Sequence, residues 1–206
     1  MLPLCFPKWQ LVYYYFRRWK NEGLIEEVNE VLRNRIRKKS GRNSSPSLAC
    51  IDSQSVKTTR LGGVQRGFDG GKRIKGRKRH IITDTMGLLF VVVVHAANIH
   101  DSKAAGEVIL KLRGRFGRLV KLIADGGYRG GLIEKTKRKL GLILEIVLRK
   151  DEASSFSVIP TRWVVERTFA WLENSRRLSK DFEFHTSTSQ AMVQLAMIQI
   201  MLNRIR

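Results

Sequence analysis

Cysteine is almost missing from this chain: Cys5 and Cys50 stand far apart without a metal-ligand spacing. That excludes a disulfide framework and a zinc site, and it fits a reducing cytoplasm. Acidic residues are scarce too, with 18 Asp and Glu against 39 Lys and Arg and a net charge of +21. Such an excess repels itself unless a polyanion offsets it, so nucleic acid is the first partner the composition suggests. Long apolar runs are also lacking. The most apolar window, Ala191 to Leu202, is broken by Gln194 and Gln199 and falls short of the roughly 20 residues a bilayer span needs. A core helix is expected there, and no membrane partner. No basic-then-apolar leader pattern opens the sequence, and no GxxxxGK[ST] loop supports a kinase or another nucleotide-binding protein.

What is present fits one α/β core with a small appendage in 206 residues,. The aromatic segment Trp9 to Trp19 reads as a helix ending in basic residues. After Gly23, the spacing of Ile25, Val28, Leu32 and Ile36 predicts a second helix with acidic residues in its first turn. Lys38 to Ser47 reads as a basic linker, which sets a boundary between residues 1–42 and 43–206. Leu48 to Asp52 reads as a strand closing on an aspartate. A Gly-rich basic loop follows, then a hairpin of His80–Asp84 and Leu88–Ala96 around Met86-Gly87. Four successive valines, Val91 to Val94, predict a strand covered on both faces and central in its sheet. Asp101 and Ser102 offer caps for a helix through Leu112. A strand from Leu119 closes on Asp125 before Gly126 and Gly127, followed by a helix over Leu132–Leu140 and a strand over Leu142–Leu148. Thr161 to Leu172 has helical apolar spacing, and Ser187-x-x-Gln190 has capping-box spacing for the last helix. A mixed sheet flanked by helices follows from this order.

Three carboxylates stand out. Asp52 and Asp125 each end an apolar run beside a polar or Gly-rich loop, where open α/β sheets place their ligand sites. Glu166 lies beside the apolar stripe Val165, Phe169, Leu172 and is expected to be half-buried, with Arg162 one turn earlier as an ion-pair partner. Taken singly, each aspartate could be a turn cap and Glu166 half of a helix ion pair. Together with the charge, they suit a hard, oxygen-only site for Mg²⁺ or Mn²⁺. Two such ions about 3.5 to 4 Å apart can activate a water or 3′-hydroxyl and stabilise the leaving oxygen of a phosphodiester. Lys72, Arg73, Lys75, Arg77, Lys78 and Arg79, spaced by glycines, suit a loop or hairpin laid on phosphates. His80 and His95 are given no catalytic part, and Trp163 and Trp171 read as core residues.

The stretches Ile51-Asp52-Ser53-Gln54-Ser55-Val56-Lys57, Gly67 to His80, Ala124-Asp125-Gly126-Gly127-Tyr128 and Arg162 to Thr168 resemble, in order, bacterial insertion-sequence transposases of the DDE type, nearest the insertion-sequence-five group of the four/five superfamily. The resemblance implies an RNase H-like catalytic fold, with Asp52, Asp125 and Glu166 as an acidic triad holding two Mg²⁺ ions. It also implies metal-dependent cleavage of transposon ends and 3′-hydroxyl strand transfer into target double-stranded DNA. Homo-oligomers on DNA are implied as well, in the bacterial cytoplasm beside the nucleoid, with Arg162 among the DNA-contacting residues. The group's tyrosine and later basic helix positions are Ile159 and Glu173 here. Its longer helical front is expected to be partial in this chain, which leaves a plain Mg²⁺-dependent nuclease and a DNA-binding remnant as alternatives.

Overall fold

The structure is a computed structural model that describes residues 5–147 and 163–205. Arg162, Ile159 and Leu148, together with the first residues of the helix expected from Thr161, lie outside the described residues. Two helices come first, α1 (Trp9–Asn21) and α2 (Leu24–Lys39). They meet at Gly23, whose φ of 77° is left-handed and costs glycine little,.

Helix α2 buries Ile25, Asn29, Arg33, Ile36 and Arg37. The predicted stripe had Val28 and Leu32 in place of Asn29 and Arg33, but these two apolar residues are only half-buried. The polar residues are inside because each finds a partner. Arg33 donates to the Leu89 carbonyl at 3.1 Å and stacks on Phe90 and Phe116, and Arg37 pairs with buried Asp84.

Six strands make one mixed sheet: β1 (Leu48–Lys57), β2 (Gly67–Asp69), β3 (Ile74–Asp84), β4 (Leu89–Ala96), β5 (Lys121–Ala124) and β6 (Ile143–Ile146). Central β1 runs antiparallel to β3 and parallel to β5, with β6 parallel to β5 beyond it. Strands β2 and β4 both pair antiparallel with β3. This is the RNase H-like α/β order that the resemblance implies. The valine-rich strand β4 is covered on both faces as expected, since Val91 and Val93 enter one core and Val92 and Val94 the other. It is not central, however, and among the described residues it pairs only with β3. Helices on both sides supply the burial that a second neighbouring strand was expected to provide.

The two cores divide the helices. Helices α3 (Asp101–Leu110) and α4 (Leu132–Leu140) cover Ala49 and Ile51 of β1 with Leu122 and Ala124 of β5. On the other face, α5 (Trp163–Glu173), α6 (Thr186–Ile205) and Ile36 of α2 cover Cys50 of β1 and Ile123 of β5. The window Ala191 to Leu202 is a core stretch of α6, burying Val193, Met197 and Met201, and no described helix is long and apolar enough to cross a membrane. Helix α6 starts at Thr186, so Ser187 lies inside the first turn rather than capping it. Likewise α3 is capped by His100, whose ring accepts from the Ser102 amide, and not by Asp101 or Ser102.

Candidate active site

The carboxylates take their places from strand alternation. Strand β1 does not end at Asp52; it continues to Lys57 against β3, while its parallel pairing with β5 stops at Cys50 opposite Ile123. Two residues further along, Asp52 and Asp125 therefore stand side by side where the two strands part. Asp125 keeps an extended backbone (φ −85°, ψ −178°), so the period of two carries past the end of β5,. By that period Asp52 and Asp125 share the side of Cys50 and Ile123, the side covered by α5.

Glu166 lies on α5 itself. It is exposed rather than half-buried, because α5 turns Val164, Val165, Thr168, Phe169 and Leu172 inward. Seven residues later, Glu173 occupies the same helix face, and it accepts a 2.6 Å hydrogen bond from the Gln54 amide. Gln54 is two residues beyond Asp52 and thus on the same side of β1. The opposite side of α5 meets the β3–β4 turn, where the Thr168 hydroxyl donates to the Gly87 carbonyl at 3.1 Å. The acidic face of α5 is therefore directed toward the β1 end that carries Asp52. Among the described residues, no three Asp, Glu, His or Cys side chains converge as closely as a metal ion requires.

On the α3 side of the same strand ends lies a polar cluster that the sequence did not disclose. The Asp101 carboxylate accepts from the Ser53 hydroxyl at 2.9 Å, and the same oxygen stands 3.0 Å from the Lys78 ammonium. Buried Tyr128 faces Asp52, Asp101 and Asp125; burial first, then these carboxylates, push its hydroxyl well above its usual pKa. His80 Nδ1 is 2.8 Å from His95 Nε2, and burial, followed by the neighbouring His95, lowers His80 to about 3. Asp101 reads in sequence as a helix cap; the short turn over residues 97–100 after β4 is the signal that it returns to the sheet edge of Asp125.

The basic residues separate into two groups. Lys72, Arg73 and Lys75 are exposed at the β2–β3 hairpin, where Asp69 accepts from the Lys72 amide at 3.0 Å. Arg77, Lys78 and Arg79 are not at a phosphate-facing surface, since all three are buried. Arg77 pairs with Asp181 at 3.1 Å and donates to the carbonyls of Val64, Glu183 and Phe184. Arg79 donates to the Leu178 carbonyl at 2.7 Å, and Lys78 to that of Ile99 at 3.0 Å. Long β3 carries Arg77 and Arg79 under the chain that follows α5, while Lys78, on the other side of the strand, meets Ile99, Asp69 and Asp101. Trp163 also departs from expectation, being exposed; Arg167 lies between it and Trp171, 4.3 and 4.4 Å from the two rings.

A transposase DDE domain model matches residues 43–201, and the chain belongs to that family. Over 138 residues it is 32% identical to a protein assigned as the transposase of insertion sequence element IS402 in Burkholderia cepacia, covering 64% of this chain. The chain spans 65% of the length of that relative. Among solved structures, the catalytic core domain of BIV integrase is similar at a TM-score of 0.43 and 16% identity, over 72% of this chain and 82% of that one.

Proposed function

We propose that residues 43–206 form the catalytic domain of a DNA transposase and that Asp52, Asp125 and Glu166 are its acidic triad, with residues 1–42 as a partial N-terminal helical region. The observation that carries this reading is the placement of Asp52 and Asp125 at the parting of adjacent parallel strands, on the side covered by the helix that bears Glu166. A donor set of carboxylate oxygens alone fits Mg²⁺, with Mn²⁺ as a substitute. Asp52, Asp125 and Glu166 would hold two such ions. When bound, they supply a hydroxide or 3′-alkoxide nucleophile and stabilise the leaving oxygen. The protein's own part is positional. Paired strands fix the two aspartates, α5 presents its acidic face to them, and buried Tyr128 closes the floor beneath.

Double-stranded DNA is the substrate in this reading, both as transposon end and as target, bound by a homo-oligomer in the bacterial cytoplasm beside the nucleoid. Lys72, Arg73 and Lys75 are its phosphate contacts, together with Arg162. The test is Mg²⁺-dependent cleavage and joining of a labelled duplex carrying the element's end, with Asp125→Asn in parallel. Joined product that disappears in the variant supports a transposase. Cleavage without joining indicates a plain nuclease, and binding with neither reaction indicates a DNA-binding remnant.

A further inference from the structure

Asp101 belongs to no part of the triad, yet it is tied to several of the strand ends. It opens α3, and its carboxylate joins that helix to β1 through Ser53 and to β3 through Lys78. Lys78 is buried, and its other anion, Asp69, lies further off at 3.7 Å. The second Asp101 oxygen and an Asp125 oxygen converge on Gly127, lying 3.6 and 3.0 Å from where a Cβ would stand there. Gly127 also donates its amide to Asp125 at 2.9 Å, so Asp101 borders the turn that fixes Asp125. The fully buried Tyr128 brings its hydroxyl into this same space, beside Ser53.

Resting on the reading of Asp52 and Asp125 as metal ligands, we propose that Asp101 is a positioning residue of the catalytic site, which sets the cation affinity of those two aspartates without being a ligand itself. Two effects act together. Through Ser53 the carboxylate holds the strand residue next to Asp52, and across Gly127 it limits where the Asp125 turn can stand. It also balances Lys78, whose positive charge would otherwise oppose a divalent cation at the neighbouring aspartates. Gly127 serves the arrangement because a side chain there would crowd the Asp125 carboxylate, 3.0 Å from its Cβ.

The experiment is calorimetric titration of the full chain with Mn²⁺, with circular dichroism to verify folding. It compares the native chain with Asp125→Asn, Asp101→Ala, Ser53→Ala and the double variant Asp101→Ala with Lys78→Met. Asp125→Asn should abolish binding, and Asp101→Ala should weaken it by about 10-fold. The double variant, in which the buried charge is again balanced, should stay weakened because the acceptor of the Ser53 hydroxyl is gone. Ser53→Ala keeps both charges and should weaken binding roughly 3-fold, so it decides the matter if Asp101→Ala does not fold. Native affinity in Asp101→Ala or Ser53→Ala overturns the proposal. So does recovery in the double variant, which would reduce Asp101 to a counterion of Lys78. If the native chain takes up no Mn²⁺, or Asp125→Asn binds as the native chain does, the triad reading fails and the proposal fails with it.

Discussion

The Arg77 guanidinium and the Asp181 carboxylate lie 3.1 Å apart with both side chains fully buried, although 104 residues separate them in sequence. Their contact fastens β3 to the chain between α5 and α6, where the Ser189 hydroxyl and the Glu183 amide also donate to Asp181. A buried pair contributes little net stability when intact, but loss of one member strands the other charge. Arg77→Gln is therefore expected to destabilise the fold by about 3 to 5 kcal/mol, seen as a lower urea midpoint. In the fraction that remains folded, the salt dependence of DNA binding should not change.

The exposed hairpin residues should behave in the opposite way. Lys72→Gln, Arg73→Gln and Lys75→Gln are each expected to change stability by less than about 0.5 kcal/mol. Each should lower the slope of log affinity against log salt by about 0.9. Fluorescence anisotropy with a labelled duplex over a range of salt concentrations measures that slope. A slope that stays constant in all three variants would remove the hairpin from the DNA interface.

The His80–His95 pair sets an acid limit on stability. His80 lies among His95, Lys78, Asp101 and Tyr128, and burial holds it near 3 against an ordinary 6.5. Because the folded value is depressed, the unfolded chain takes up a proton between those limits that the native chain refuses. The contribution is whole above pH 6.5 and is lost as pH falls toward 3,. The unfolding free energy from urea titrations should decline over that window by up to about 1.4 kcal/mol per pH unit, and His80→Asn should show a shallower decline.

Gly87 connects the β3–β4 turn to α5. Its φ is 80°, and a Cβ there would come within 2.6 Å of both the Thr168 hydroxyl and the Trp171 ring. Gly87→Ala is expected to cost about 1 to 3 kcal/mol and to loosen α5 from the turn. A lower thermal midpoint together with altered tryptophan fluorescence would register this, whereas a midpoint equal to that of the native chain would contradict it.

The sequence alone determined most of the elements and their order, although β2 and the start of β3 lie in what reads as a Gly-rich basic loop. Apolar period and turn residues placed α2, α4, the β3–β4 hairpin and β5, and two aspartates at the ends of apolar runs identified the sheet edge where a site would lie. These features are local, so a window of a dozen residues carries them. Tertiary structure decided which polar residues face inward. Arg33, Arg37, Arg77, Lys78 and Arg79 look like surface charges in sequence, but each is buried because a carbonyl or carboxylate from elsewhere in the fold receives it. Strand order likewise placed the valine run at an edge, and α5, by turning five other side chains inward, left Glu166 exposed. The link from Asp101 to Ser53, Lys78 and Gly127 draws on α3, β1, β3 and the turn after β5. Residues that distant become neighbours only through strand pairing and helix packing, which no local pattern records.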